Sequence, residues 1–441
     1  MSLRPLGAGL APPRPHGGPR GAYSPPMAST QARTEPSLAE IVRQWGRIGC
    51  IGFGGPPAHV ALFRELCVAR RRWLSDVEFE RAIAATNLLP GPASTQLAIY
   101  CAWRLRGTRG ALLGGLCFIL PGLVMILALS VLFLGGSPPA WLRGAGAGAG
   151  AAVAAVAVHA GLGVARPVWA RAERSRRPRV LLYALAGGIA AALAGPFLVL
   201  VLLACGAAEL ARHELGGERA RIGAWLMPAW AFLARGGACG RLADASARRW
   251  PGPLALLGAS AAPGGTAALV WTALKVGALA FGGGFVIVPL MQADAVGAYH
   301  WMTHAQFLNA VALGQVTPGP LVQTIAAVGY SAAGIPGGLL AAAVAFAPSF
   351  SFILIGAARF ERLLVDARAL AFLGGAAPAA AGAIIGSAVP LTGALSETWQ
   401  YGLLACAAVA LLALRRGVVS TLLLAGAAGL AIALLGGPVP G

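Results

Sequence analysis

The chain alternates long apolar runs with short polar breaks. The stretch "ALLGGLCFILPGLVMILALSVLF" at 111–133 carries no charge and is long enough to cross a hydrocarbon core of about 30 Å as a helix. Comparable runs recur along most of the sequence. The pattern predicts an all-α polytopic membrane protein, since a spanning helix satisfies its own backbone hydrogen bonds in lipid. Two apolar stretches are interrupted in the same way, "ATNLLPGPASTQ" at 85–96 and "ALGQVTPGPLVQT" at 312–324. Proline removes a backbone donor and glycine permits a tight turn. One such break reads as a kink, but a matched pair of Pro-Gly-Pro breaks predicts broken helices, which survive at membrane depth only when buried in protein or lining a watery cavity.

The matched breaks belong to a longer duplication. "RIGCIGFGG" (47–55) parallels "KVGALAFGG" (275–283), and "RRWLSDVEF" (71–79) parallels "YHWMTHAQF" (299–307). The pairs 53/281, 73/301 and 90/318 share one offset, 228. Gly107/Gly334, Gly110/Gly337 and Pro121/Pro348 follow at 227, which puts a one-residue gap between Gln96 and Gly107. The chain divides into a Pro- and Arg-rich cytoplasmic tail (1–37) expected to be disordered, a first repeat (38–212), a linker (213–265) and a second repeat (266–437).

Charge sets the orientation of the halves. Composition is 57% hydrophobic and 11% charged with a net charge of +19, and mean hydropathy is +0.72. The arginines cluster in short loops, so the basic balance points to membrane sidedness and not to a nucleic-acid partner. Stretches 64–72 and 104–109 are basic, whereas their counterparts 290–300 and 331–337 contain no arginine; 135–141 and 194–196 are uncharged, whereas 358–368 and 414–417 are basic. Positive-inside counting therefore predicts an inverted-topology repeat. Inversion needs an odd number of crossings in the linker, for which "IGAWLMPAWAFLA" at 222–234 is the candidate. The segment between 64–72 and 104–109 is too short for two spans, so it should form a re-entrant hairpin turning at Pro90-Gly91-Pro92. Residues 39–63 should turn likewise at Phe53-Gly54-Gly55-Pro56-Pro57.

A half-helix starting after Pro92 or Pro320 offers free N–H groups and a partial positive charge to an anion. Ser94, Thr95 and Gln96 add polar groups in the first repeat, as do Gln323 and Thr324 in the second. Arg47 and Lys275, the single lysine, occupy equivalent positions, and an intramembrane cation needs compensation that a bound anion would supply. His59 is expected in a hydrogen-bonded structural role, and Asn87 and Gln315 are expected to pair with backbone freed by the turns. Glu78, Glu80 and Asp294 fall near segment ends, so no carboxylate relay is expected. The seven cysteines show no metal spacing. Zincin, Walker and nucleophile-elbow signatures are absent, and neither an enzyme nor a cofactor is expected.

The stretch "FGGPPAHVALFRELCVARRRWLSDVEFERAIAATNLLPGPASTQLAIY" followed by "GALLGGLCFILPG", and then "FGGGFVIVPLMQAD" with "VALGQVTPGPLVQT", resembles the two halves of the long-chain, two-domain chromate ion transporter family. The resemblance covers both repeats. It implies a multi-pass protein of the cell inner membrane that exports chromate and confers chromate resistance. The family signature falls on Phe53, Gly54, Gly55, Pro56, Pro90, Gly91, Pro92 and Gln96, and on Phe281, Gly282, Gly283, Pro318, Gly319 and Pro320. The implied partners are chromate or a similar oxyanion and the lipid bilayer, with a homodimer compatible. Sulfate is isosteric with chromate, so a carrier of another tetrahedral oxyanion is the alternative, and a membrane-embedded enzyme is the rival of a different class.

Overall fold

The computed structural model describes residues 35–89, 91–136, 138–193, 198–215, 265–280, 284–356 and 366–440. The tail before residue 35 and the candidate linker crossing at 222–234 lie outside the described residues. All regular structure within them is helical.

The first repeat opens with two hairpins. Helix α1 (Leu38–Ile51) starts at Ser37, whose hydroxyl accepts from the Glu40 N–H at 3.1 Å. Helix α2 (Pro56–Arg64) returns and widens into a π-type turn over Glu65–Arg70. The arms meet at Glu40 and Arg71 (3.0 Å) at the open end, at Trp45 and Phe63 (ring centroids 5.4 Å) in the middle, and at Gly52 and His59 (2.8 Å) near the tip. Helix α3 (Asp76–Leu88) begins in a reciprocal Ser75/Glu78 cap, and α4 (Ala93–Leu134) returns from the Pro-Gly-Pro turn. Arg104 pairs with Glu78 at 3.3 Å across the open end of this second hairpin. At 1.5 Å per residue the 14 residues of α1 reach about 21 Å, short of a 30 Å core. Both hairpins therefore enter and leave on one side.

Helix α4 breaks at Arg106 and Gly107, where Gly107 has φ 58° and ψ −151°, a conformation that disfavours any residue with a Cβ. Beyond the break it becomes a crossing helix. The second repeat copies this detail. Helices α8 (Thr266–Leu279), α9 (Ile287–Gln292, with a π-type turn over Ala293–Ala298) and α10 (His304–Val316) match the first hairpins. A 3₁₀ turn at Leu321–Gln323 leads into α11 (Thr324–Gly356), which breaks at Gly334 with φ 65° and ψ −158°. Even the left-handed Arg72 (φ 51°) has its counterpart in His300 (φ 52°).

The equivalent crossing helices α4 and α11 pack antiparallel: Gly115 lies against Phe350, Leu127 against Gly338 and Gly135 against Tyr330. As one number rises the other falls in step. Equivalent helices of a parallel repeat would run the same way, so the repeat is inverted. The stretches Ala93–Leu134, Ala140–Arg171, Leu321–Gly356 and Ala367–Gly393 are each long and apolar enough to span a bilayer, and the chain is a multi-pass membrane protein.

The remaining helices interleave the halves. Helix α5 (Ala140–Arg171) of the first repeat packs on α14 (Thr398–Ala408) and α15 (Val418–Leu434) of the second. Its counterpart α12 (Ala367–Gly386), followed by the short α13 (Ala388–Gly393), packs on α6 (Arg177–Leu193) and α7 (Leu198–Glu214) of the first. Small residues set the approach, with Gly144 and Gly148 against Gly429 and Gly375 over the Cys205 carbonyl.

Charge decorates one end of this assembly. Arg64 pairs with Asp76 and Glu80, and Arg106 with Glu35, all at the open ends of the first-repeat hairpins. The positions equivalent to Glu40, Arg71, Glu78 and Arg104 are Ala268, Tyr299, Gln306 and Ser331. In a version freed of native cysteines, Thr108→Cys should resist an impermeant thiol reagent in intact cells and Ile335→Cys should react. Labelling of both from the same side would refute the inverted arrangement.

Candidate functional site

The hairpin tips of one repeat meet those of the other. The Gly319 N–H donates to the Gly52 carbonyl at 2.9 Å. His59 Nε2 donates to the same oxygen at 2.8 Å, while Nδ1 is buried without a partner. His59 thus has the structural role expected of it, held edge-on by Phe118 with centroids 5.1 Å apart. Gln323 Nε2 donates to the Ile119 carbonyl at 2.8 Å. The Pro318 carbonyl presses so closely on Gly122 that an added Cβ there would lie 2.0 Å from it.

The first-repeat turn is seated the same way against the second repeat. Gly91 has φ 119°, and a Cβ on it would lie 2.6 Å from Gln96 Nε2 and 3.4 Å from both the Gly277 carbonyl and the Ser349 hydroxyl. Gln96 beside Gly91 and Gln323 beside Gly319 are therefore structural equivalents. This moves the one-residue gap: it falls between Pro92 and Gln96, not between Gln96 and Gly107, because the second-repeat turn leaves through a tighter 3₁₀ segment. Ser349 stands where the first repeat has Gly122.

The core around these tips is polar but poor in charge. Gly91, Pro92, Ser94, Thr95, Gln96, Pro318, Gly319, Pro320, Gln323 and Thr324 lie in this core. Thr95 Oγ1, Thr317 Oγ1, Gln323 Oε1 and Ser349 Oγ are buried without hydrogen-bond partners. Thr95 and Gln96 donate their N–H groups to the Pro92 carbonyl, as Gln323 does to that of Pro320, so the first N–H groups of each half-helix remain outside the helical ladder. The Thr95, Thr317 and Ser349 hydroxyls can donate to a ligand that has only acceptors, and the helix dipole favours it, whereas Gln323 Oε1 can only accept.

Other expected residues are placed differently. Gly54 and Gly55 form a positive-φ turn, with Phe53 beside them 40% exposed. Pro90, Phe281, Gly282 and Gly283 lie outside the described residues. Asn87 is exposed, and Gln315 Nε2 is buried but unpaired, so neither caps freed backbone as expected. Arg47 lies on the exposed face of α1. Lys275 pairs with Asp294 at 2.5 Å, with side chains 22% and 11% exposed, and Thr272 also donates to that carboxylate at 2.8 Å. Asp294, read from sequence as near a segment end, is a buried counter-ion reached through the hairpin. The compensation for Lys275 comes from the protein itself. Leu66 occupies the matching position in the first repeat, which is why Arg47 has no such partner and faces outward.

The chromate transporter family model matches residues 39–210 and 267–432. The chain belongs to the chromate transporter family. It is 31% identical over 415 residues to a chromate transport protein of Cupriavidus metallidurans, covering 91% of this chain and 94% of that one. A chromate transport protein of Pseudomonas aeruginosa is 30% identical over 388 residues, with 84% and 86% covered. A probable chromate transport protein of Synechococcus elongatus is 28% identical over 368 residues, with 80% and 84% covered. No solved structure matches the chain. The matched family segments contain both Pro-Gly-Pro turns and both glutamines.

Two outcomes test this packing. Gly122→Ala should lower the thermal midpoint of the purified protein markedly, because its Cβ meets backbone that cannot move aside; an unchanged midpoint would show the tips are not seated as described. Lys275→Ala should destabilise by about 3–5 kcal/mol by stranding a buried carboxylate, while Lys275→Met with Asp294→Leu should recover most of the loss. A double variant no better than the single would place the lysine's main role elsewhere.

Proposed function

We propose that the protein is a secondary carrier that exports chromate across the cell inner membrane and so confers chromate resistance, with the substrate held between the two Pro-Gly-Pro turns. The observation that carries this reading is the symmetric pair of buried turns, each with a glutamine amide at its glycine and a half-helix N-terminus behind it. A tetrahedral dianion presents only acceptor oxygens, so backbone N–H groups and amide NH₂ groups match it without a neutralising side chain. Among such anions, the names of the relatives, chromate transport proteins, favour chromate for this chain.

The tips are closed in this conformation, and the Gly319 to Gly52 bond ties one repeat to the other. Alternating access then amounts to parting one pair of tips while the other stays seated, the motion an inverted repeat permits in two equivalent directions. Expelling a dianion from a negative-inside cell gains about 4.6 kcal/mol per 100 mV, twice the single-charge value. That sustains a gradient of roughly a thousandfold, so membrane potential suffices without a proton.

Everted vesicles given an imposed potential and no pH gradient should accumulate chromate, with sulfate a weak competitor. Gln96→Leu and Gln323→Leu should each cut the initial rate at least about tenfold at matched expression, the cost of losing a hydrogen bond to a charged group. Vesicles that take up sulfate and ignore chromate would favour the other oxyanion. Vesicles that move neither would overturn the carrier reading.

A further inference from the structure

At the opposite end of the crossing helices from the arginine-rich face lies a second polar cavity. It measures about 360 Å³ and is lined by Phe133, Arg143, Gln306, Asn309, Ser396 and Gln400 among others. Phe133 is at the far end of α4, and Gln306 sits at the open end of the second-repeat hairpins, which carries none of the first repeat's ion pairs. This is therefore the outward mouth.

Arg143 stands out there. Stretch 135–141 before it is uncharged, and the repeat-equivalent position is Leu370, so neither the charge rule nor the duplication calls for a cation. Its backbone N–H is used, donating to the Pro139 carbonyl at 3.1 Å, but its side-chain Nε is buried without a partner, and the guanidinium makes no hydrogen bond or ion pair among the described residues. Among the described residues, no carboxylate lines the cavity. Its other polar groups divide into occupied and available ones. Gln400 is used, donating to the Ala147 carbonyl and accepting from the Ser396 and Glu397 N–H groups. Gln306 accepts from the Thr303 N–H through Oε1, leaving its NH₂ as a donor. Asn309 packs on Gly146 with its amide oxygen buried and unpaired, so turning the amide would offer its NH₂ without breaking a bond.

We infer that this cavity is a second oxyanion site at the outward mouth, with the Arg143 guanidinium as its cation and the Gln306 and Asn309 amides as donors. An unpaired guanidinium in a partly open cavity whose described lining holds no acid matches two oxygens of a tetrahedral anion with its fork. The site would receive substrate released from the hairpin tips on its way out. This rests on the carrier reading above and adds to it a station that the repeat symmetry does not supply.

The test is equilibrium binding of radiolabelled chromate to the purified full chain in detergent. The wild type should bind two anions per chain. Arg143→Gln should weaken one of them at least about tenfold and spare the other, and Gln96→Leu with Gln323→Leu should do the reverse. If Arg143→Gln does not yield folded protein, Arg143→Lys carries the test, since it keeps the charge and loses the fork, and one site should weaken severalfold. One anion per chain in the wild type, with affinity unchanged in the Arg143 variant, would overturn the outward site and leave the carrier reading standing. No chromate or sulfate binding by the folded wild type would overturn both.

Discussion

The whole arrangement depends on one constraint: backbone that leaves a helix at membrane depth must have its N–H and C=O groups covered by protein. The hairpin tips break their helices there, and those of one repeat are covered by the other. The Gly319 N–H finds the Gly52 carbonyl, which has left the α1 ladder, and the Gln323 amide finds the Ile119 carbonyl in the crossing helix. Close seating between the repeats requires glycine at Gly122, where a Cβ would meet the Pro318 carbonyl at 2.0 Å, and within the second repeat Gly277 likewise lets its helix approach the Ala345 carbonyl. The same geometry that satisfies the backbone leaves the half-helix N-termini and the glutamines at the tips, the setting in which we propose that an anion is held. Structure and chemistry are thus two results of one requirement.

Symmetry explains the scaffold and its departures mark the specialised places. Antiparallel packing of α4 on α11 and exchange of α5 and α12 between halves make each repeat complete the other. Against that background, Lys275 with Asp294 is a pair that the first repeat lacks, with Arg47 and Leu66 in its stead. A buried pair of this kind stabilises only while both partners remain, and it is weak evidence for stability by itself. Ser349 for Gly122, and Arg143 for Leu370, are further asymmetries, and the one-way export we propose would have use for unlike ends.

Much of this was legible in the sequence, for identifiable reasons. The duplication, the breaks at Pro-Gly-Pro and the inversion were readable because proline, glycine and arginine act locally: they end helices and choose a side regardless of distant contacts. The equivalence of Gln96 with Gln323 was not, since a one-residue gap inside a turn can be placed only once the amides are seen beside Gly91 and Gly319. Asp294 was missed because a carboxylate near a helix end looks solvent-exposed until a π-type turn and the facing arm bury it against Thr272 and Lys275. The readable signal was that a lone lysine inside an apolar run calls for an anionic partner, and Asp294 is the first carboxylate after it in the sequence. Arg143 gave no signal beyond its place in an otherwise neutral flank.

The central claim is that an oxyanion is held by the paired turns. Anomalous diffraction from chromium, in crystals of the protein grown with chromate, tests it most directly. The account predicts a chromium peak within hydrogen-bonding reach of the Gln96 or Gln323 amide, between the half-helices that follow Pro92 and Pro320. A peak beside Lys275 with both turns empty would contradict it.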